Sequence, residues 1–158
     1  HVARAAEQLA VRLAVAAELV GVMAIELFVL GDELLVNEMA ARPHNTGHHT
    51  IEACVTSQFE QHVRAILDLP LGSPALRASA SAMHNVVGSV DAHDPTTQLA
   101  EALEIAGAHV HLYGKQPRPG RKLGHVTALG ATVDEARSVA ERAADRLNGT
   151  ASPVGERS

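Results

Sequence analysis

The 158-residue chain has no tryptophan, one tyrosine and two phenylalanines. Stacking platforms for single-stranded nucleic acid are thereby nearly excluded. Its one cysteine, Cys54, has no second thiol to pair with, which favours a reducing compartment. Positive charge is in deficit: 13 Lys and Arg against 18 Asp and Glu leave a net −5. That argues against bulk coating of nucleic acid, while a local basic cluster can still bind phosphate. No apolar run reaches membrane-spanning length, the longest being broken by Glu26, and no signal-peptide pattern is seen. The expectation is a cytoplasmic protein with neither membrane nor nucleic acid as partner. Hydrophobic residues, at 46%, are ample for a core, although Ala and Val supply much of it. The chain opens at His1, directly in a helical pattern, and is expected to be a piece of something longer.

Residues 2–18 show helical spacing in Val2, Ala6, Leu9, Leu13 and Ala17. From Gly21 to Leu30 the period changes to two. Met23, Ile25, Leu27 and Val29 form one apolar face, and all of the other is apolar but Glu26, which predicts a strand buried on both sides. A Gly31-Asp32-Glu33 turn leads to a second strand, Leu34 to Ala40, completing a hairpin. Residues 41–50 are polar and aperiodic, a loop that carries groups rather than packs. A helix follows with Ser57 and Glu60 as a capping box and Phe59, Val63, Ile66 and Leu67 as its apolar stripe. Leu71 to Ala82, rich in Pro, Ser and Ala, is the candidate boundary. Strands are predicted at Met83 to Val87, His109 to Tyr113 and Leu123 to Leu129, with a helix over Gln98 to Ala106. Thr132 and Glu135 form a second capping box, opening a helix that ends near Leu147. The residues from Thr150 onward are expected to be a disordered tail.

Glu26 and Glu38 are the first chemical clue. A carboxylate inside an apolar strand is costly unless paired or metal-bound. A two-residue turn would set Glu26 opposite Asn37; a three-residue turn sets it opposite Glu38, with both carboxylates on one face. The second register is expected. Two adjacent carboxylates repel unless a hard cation lies between them or one is protonated. The alternative is a solvent-facing Glu38 and a Glu26 paired to an arginine.

The run Asn37-Glu38-Met39-Ala40-Ala41-Arg42-Pro43-His44-Asn45-Thr46-Gly47-His48 is more specific. Thr56-Ser57-Gln58-Phe59-Glu60-Gln61-His62 follows it, then His111-Leu112-Tyr113-Gly114-Lys115, then Arg118-Pro119-Gly120-Arg121-Lys122-Leu123-Gly124-His125. In order and spacing these blocks resemble the 5-(carboxyamino)imidazole ribonucleotide synthetases, ATP-grasp ligases of purine synthesis, over about residues 1–130. The resemblance implies an α+β chain. Residues 1–70 would be the carboxy-terminal part of the ATP-grasp domain, an antiparallel sheet with packed helices. Residues 71–131 would be a small β-rich subdomain, 132–149 a terminal helix and 150–158 the tail.

It further implies that ATP phosphorylates bicarbonate to carboxyphosphate, whose carboxyl group, or CO₂ released from it, is taken up by the amine of aminoimidazole ribonucleotide. Mg²⁺, with Mn²⁺ as an alternative, would be held by Glu26 and Glu38, and Asn37 with Glu38 would line the ATP site. Arg42, His44 and Asn45 would stand near bicarbonate and the imidazole substrate. The two-pronged donor geometry of an arginine suits a small planar anion. Lys115, Arg121 and Lys122 lie in a stretch free of acids from Ile105 to Val133 and would take the ribonucleotide's 5′-phosphate, with Arg118 a lesser candidate. A solvated basic turn is the plainer reading of such a cluster taken alone. The expected partners are these small molecules and a second copy of the chain.

Two features depart from the pattern. Ala40 stands where many ATP-grasp enzymes have an Asn ligand, and Ala41 where a Pro is common. The glycine-rich phosphate lid of the family is missing, so the sites are expected as half-sites, inactive alone. Rival readings are a formate-dependent glycinamide ribonucleotide transformylase, a zinc module built on His44, His48 and His49 or on His109 and His111, and a non-catalytic remnant using the helix from Ser57 for dimer contacts. Four-ligand structural zinc normally calls on cysteine, and there is one here. Cys54 fits a buried small residue better than a nucleophile.

Overall fold

A computed structural model describes residues 1–150; the expected tail therefore lies, from residue 151, outside the described residues. Thr150 itself is tied back, its N–H donating to the Asp145 carbonyl at 3.0 Å. The chain divides into two units, His1–Ala75 and Leu76–Ser158.

In the first unit, helix α1 (Val2–Ala16) precedes a hairpin of β1 (Ala24–Leu30) and β2 (Glu33–Ala40). The turn is Gly31-Asp32, with Gly31 at φ +61°, and Glu33 already pairs with Leu30. The predicted three-residue turn is thus corrected to two. Glu26 nevertheless faces Glu38, because the register shifts within the ladder: Leu27 pairs with Val36 and Glu26 with Glu38, leaving Asn37 as a bulge. A bulge inserts one residue, so it moves the pairing by the same one step that a longer turn would have supplied.

The two-sided burial predicted for β1 does not occur. Phe28, Val29 and Leu30 are exposed, as are Leu35, Val36 and Met39 on β2. The hairpin is a two-stranded sheet, and α1 stands off from it across a cleft lined by Ala6, Ala10, Ala14, Met23, Ile25 and Leu27. One helix cannot cover both faces of a ribbon.

The polar segment after β2 holds a 3-10 turn (Asn45–Gly47) and the short helix α2 (Thr50–Ala53), leading to α3 (Gln58–Ile66). Ser57 caps α3 by accepting from the Glu60 N–H at 3.2 Å. The reciprocal half of the predicted capping box is missing: the Glu60 carboxylate goes to Arg64, at 2.7 and 2.9 Å. The apolar stripe of α3 also faces outward, with Phe59 40% and Ile66 52% exposed. Its polar side is the anchored one. Gln61 exchanges two bonds with the backbone of Gly72, at 2.6 and 2.9 Å, and His62 Nδ1 accepts from the Val22 N–H at 3.2 Å. Residues 72–75 thereby run with this unit, since Val55 and Thr56 also donate to Ala75 and Ser73.

In the second unit, β3 (Ala80–Val87), β4 (Ala108–Leu112) and β5 (Lys122–Gly130) form an antiparallel sheet in the order β3-β5-β4. A 3-10 turn (Pro95–Gln98) and α4 (Leu99–Leu103) link β3 to β4, and α5 (Val133–Leu147) follows β5. The Thr132–Glu135 capping box is complete. Ala136, Ala140, Ala143, Ala144 and Leu147 are buried on α5, and the last four share a core with Val86, Val126 and Ala128. Alanines let helix and sheet approach closely, and Leu147 adds the bulk, about 2 kcal/mol of apolar burial.

Candidate functional site

Each unit brings one group of chemically able side chains together. In the first, the bulge does the positioning. The two residues of a bulged strand that share one partner sit side by side, so Asn37 and Glu38 both stand against Glu26. The Asn37 amide donates to Glu26 Oε2 at 3.2 Å. His44 approaches both carboxylates from the following loop, Nδ1 at 4.0 Å from Glu26 Oε1 and Nε2 at 3.7 Å from Glu38 Oε1. Its side chain is 11% exposed, against 35% for Glu26 and 53% for Glu38. Glu26, Glu38 and His44 are the group of three potential metal ligands among the described residues, with donor atoms within 4.8 Å of one another.

His44 is held in one tautomer. The Thr46 N–H can only donate, and it donates to His44 Nδ1 at 3.4 Å, with Thr46 Oγ1 at 3.0 Å from the same atom. Nδ1 is therefore the acceptor and Nε2 carries the proton toward Glu38. With Nε2–H turned toward Glu38, the carboxylate oxygens are the readier metal donors of the three. Two carboxylates supply hard, negative oxygen donors, the set that suits Mg²⁺. The donor chemistry fits such an ion.

Arg42 and Asn45 belong to the same loop but not to this cluster. The Arg42 guanidinium donates to the Pro43 carbonyl at 3.1 Å and lines a cleft of about 330 Å³ with Val22, Ala24, Thr46, Gly47 and Thr50. Asn45 opens the 3-10 turn, its carbonyl accepting from the His48 N–H at 3.1 Å. The three loop histidines diverge: His48 stacks on Phe59 at 5.5 Å and meets Gln58, while His49 Nδ1 meets the Thr46 carbonyl at 3.0 Å. The zinc grouping is corrected accordingly. Cys54 is buried.

In the second unit, Lys115, Arg121 and Lys122 lie on the loop between β4 and β5 or at its end. The Lys115 ammonium sits 5.1 Å from the centre of the Tyr113 ring. Arg121 donates to the Gln116 carbonyl at 3.2 Å, and Lys122 opens β5 as an exposed residue opposite Val87. Gly88 pins the loop to β3: its N–H donates to the Arg121 carbonyl and its carbonyl accepts from Gly120. A side chain at Gly88 would collide with the Arg118 carbonyl, so only glycine permits this approach. Sequence reasoning missed the support beneath Lys115. Tyr113 Oη lies 2.7 Å from His125 Nδ1, and His125 stacks on His111 at 4.6 Å. The period-two spacing of His111 and Tyr113 contained half of that signal; the other half needed the pairing of β4 with β5. His109 pairs with Thr127 across the strands, and among the described residues neither His109 nor His111 joins a group of three potential metal ligands. Burial holds the Tyr113 hydroxyl above its ordinary value.

Residues 1–59 match the ATP-grasp domain family, and residues 81–139 match the phosphoribosylaminoimidazole carboxylase C-terminal domain family. The N5-carboxyaminoimidazole ribonucleotide synthase of Mycobacterium tuberculosis is 48% identical over 152 residues, which cover 92% of this chain and 35% of that protein. The crystal structure of N5-carboxyaminoimidazole ribonucleotide synthetase from Thermotoga maritima superposes with a TM-score of 0.79 at 45% identity, over 90% of this chain and 40% of that one. The Aspergillus clavatus N5-carboxyaminoimidazole synthase, solved with ADP and 5-aminoimidazole ribonucleotide, matches with a TM-score of 0.71 at 43% identity, over 82% and 35%. The chain thus spans about a third of the length of the curated relatives it matches.

Proposed function

The chain belongs to the ATP-grasp family of N5-carboxyaminoimidazole ribonucleotide synthases, and from that premise we propose that it contributes to the ATP- and bicarbonate-dependent carboxylation of 5-aminoimidazole ribonucleotide, in purine biosynthesis, through carboxyphosphate. The observation that carries this reading is the Glu26–Glu38 pair, brought face to face by the bulge at Asn37 with His44 beside it.

Glu26 and Glu38 would hold Mg²⁺ or Mn²⁺. Such an ion, when bound, neutralises nucleotide phosphate charge and helps orient the transferred group. Asn37 fixes Glu26 through its amide and, with Glu38, would line the ATP site. The Nε2–H of His44 supplies a donor beside the carboxylates, and Arg42 and Asn45 carry donors for bicarbonate and the imidazole substrate. A guanidinium stabilises charge developing on a carboxyphosphate oxygen better than an ammonium, because its planar fork meets two oxygens together. Lys115, Arg121 and Lys122 would bind the 5′-phosphate, with Gly88 holding their loop close to the sheet. In domain terms, residues 1–70 would be the ATP-grasp part, residues 71–131 the substrate-phosphate part and residues 132–149 its supporting helix.

No helix among the described residues is long and apolar enough to cross a membrane. We place the protein in the cytoplasm, with a second copy of the chain as partner; the outward apolar stripe of α3 is the surface that supports such a contact.

The test is phosphate release from ATP with bicarbonate and aminoimidazole ribonucleotide, for the chain alone and then mixed with the amino-terminal part of a relative. Silence alone followed by activity on mixing supports the proposal. Activity with formate and glycinamide ribonucleotide in place of bicarbonate and aminoimidazole ribonucleotide would replace it with a transformylase.

A further inference from the structure

Gln58 carries more polar contacts than any role in packing requires. Its Oε1 accepts from the His44 N–H at 2.9 Å, and its Nε2 donates to the His44 carbonyl at 2.8 Å. Both backbone groups of one residue are thus closed by one side chain, in the manner of a strand partner. The same Nε2 lies 2.9 Å from His48 Nδ1. The amide can be oriented only one way, since the His44 N–H needs an acceptor; the His44 carbonyl also accepts from the Gly47 N–H at 2.9 Å. Gln58 is itself anchored: its N–H donates to Thr50 Oγ1 at 2.9 Å, and that hydroxyl donates to the Gly47 carbonyl at 2.5 Å. The backbone of Gly47 passes directly over the amide, so that a Cβ there would land on Gln58 Oε1.

We propose that Gln58 is the positioning residue of the carboxylate site, holding the His44 backbone so that its imidazole, locked by Thr46, presents Nε2–H to Glu38. The inference deepens the functional reading above and rests on it, because it takes the Glu26–Glu38 pair as the working site. The role is separable from general stability because α3 carries a twin. Gln61, one helical turn along, makes the same two-bond clamp on Gly72, which is not part of the site.

The experiment compares Gln58→Glu, Gly47→Ala and Gln61→Glu in the full chain. Gln58→Glu keeps the shape of the side chain but faces an oxygen toward the His44 carbonyl. Gly47→Ala dislodges the amide without altering it. The readout is the long-range proton–nitrogen NMR spectrum of the imidazole rings, which reports the tautomer of His44, together with binding of Mn²⁺ alone and the thermal midpoint. In the wild type, His44 should show the single Nε2–H tautomer. Gln58→Glu and Gly47→Ala should each convert it to a mixture and weaken Mn²⁺ by about 10-fold, as loss of an outer support does. Gln61→Glu should lower the thermal midpoint and leave the His44 signals unchanged. An unchanged His44 tautomer in both Gln58→Glu and Gly47→Ala, or an equal change in Gln61→Glu, would overturn the proposal. If the Gln58 variant fails to fold, Gly47→Ala decides. If the wild-type chain does not take up Mn²⁺, the metal reading of the carboxylates fails, while the imidazole spectrum still judges Gln58.

Discussion

Helices α3 and α5 carry apolar stripes of similar clarity, yet the fold uses them in opposite ways. On α5 the stripe is turned inward, where Ala136, Ala140, Ala143, Ala144 and Leu147 are buried against a three-stranded sheet. On α3 the stripe of Phe59, Val63 and Ile66 faces outward, while Gln58, Gln61 and His62 tie the helix to loops and backbone. The second unit is held by apolar close packing. The first unit is held in large part by directed polar bonds around a small buried set that includes Ala53, Cys54 and Thr56. Apolar contact is non-directional and tolerates small shifts; hydrogen bonds fix distance and angle. The proposed site, with two carboxylates and an imidazole at one point, draws on the second kind of construction.

The sharpest way to break this contrast is Glu38→Ala. In the reconstituted enzyme, metal-dependent phosphoryl transfer should fall to background, a loss of ~10³-fold or more, while the thermal midpoint barely moves. Near-normal phosphate release would remove the metal role. Leu147→Ala should do the reverse, destabilising the second unit by about 3 kcal/mol in urea unfolding as its cavity opens. Ile66→Ala on the outward stripe of α3 should change stability by less than ~0.5 kcal/mol; a cost comparable to that of Leu147 would mean that the stripe is covered in solution.

Lys122→Ala tests the basic loop. Removing a charge-assisted phosphate contact should weaken aminoimidazole ribonucleotide binding by about 10-fold, near 1.4 kcal/mol, and spare substrate-independent ATP hydrolysis. Equal affinity would assign the phosphate elsewhere. The smallest expected effects are in pH. Tyr113, raised by burial, should ionise in an ultraviolet titration above the ordinary 10.0. Its contribution to stability is full below the unfolded value and is lost as pH rises through the folded one. Asp94 is lowered by the N–H and then the hydroxyl of Thr96. Its contribution is present above 3.8 and is lost as pH falls through the depressed folded value, a slight acid destabilisation that Asp94→Asn should abolish.

The hairpin was legible from its period-two pattern and glycine turn, and the opposition of Glu26 to Glu38 was reached, though by the wrong device. A three-residue turn and a two-residue turn with a bulge place the same residues opposite one another, and periodicity cannot separate them. The Thr132–Glu135 box was legible because its geometry is local. The box at Ser57 was half legible, since Glu60 had a competing partner in Arg64, one turn along the same helix. The orientation of α3 was not legible, because its polar side bonds to residues fourteen positions upstream and eleven downstream, in His44 and Gly72. Gln58 stands in a sequence motif that gives no sign of what its side chain holds.

What the sequence alone determined are the properties that depend on neighbours within a turn or two: the periods of strands and helices, the caps, and the order of the polar blocks. Those blocks include Glu38, His44 and the Lys115 to Lys122 loop, and Glu26 stands out as the lone acid of an apolar strand. Tertiary structure alone decided which face of each element was covered, where the bulge fell, and which amide closed on which backbone. These outcomes depend on long-range competition for burial and for hydrogen-bond partners, and a backbone group takes whichever donor or acceptor the fold brings to it.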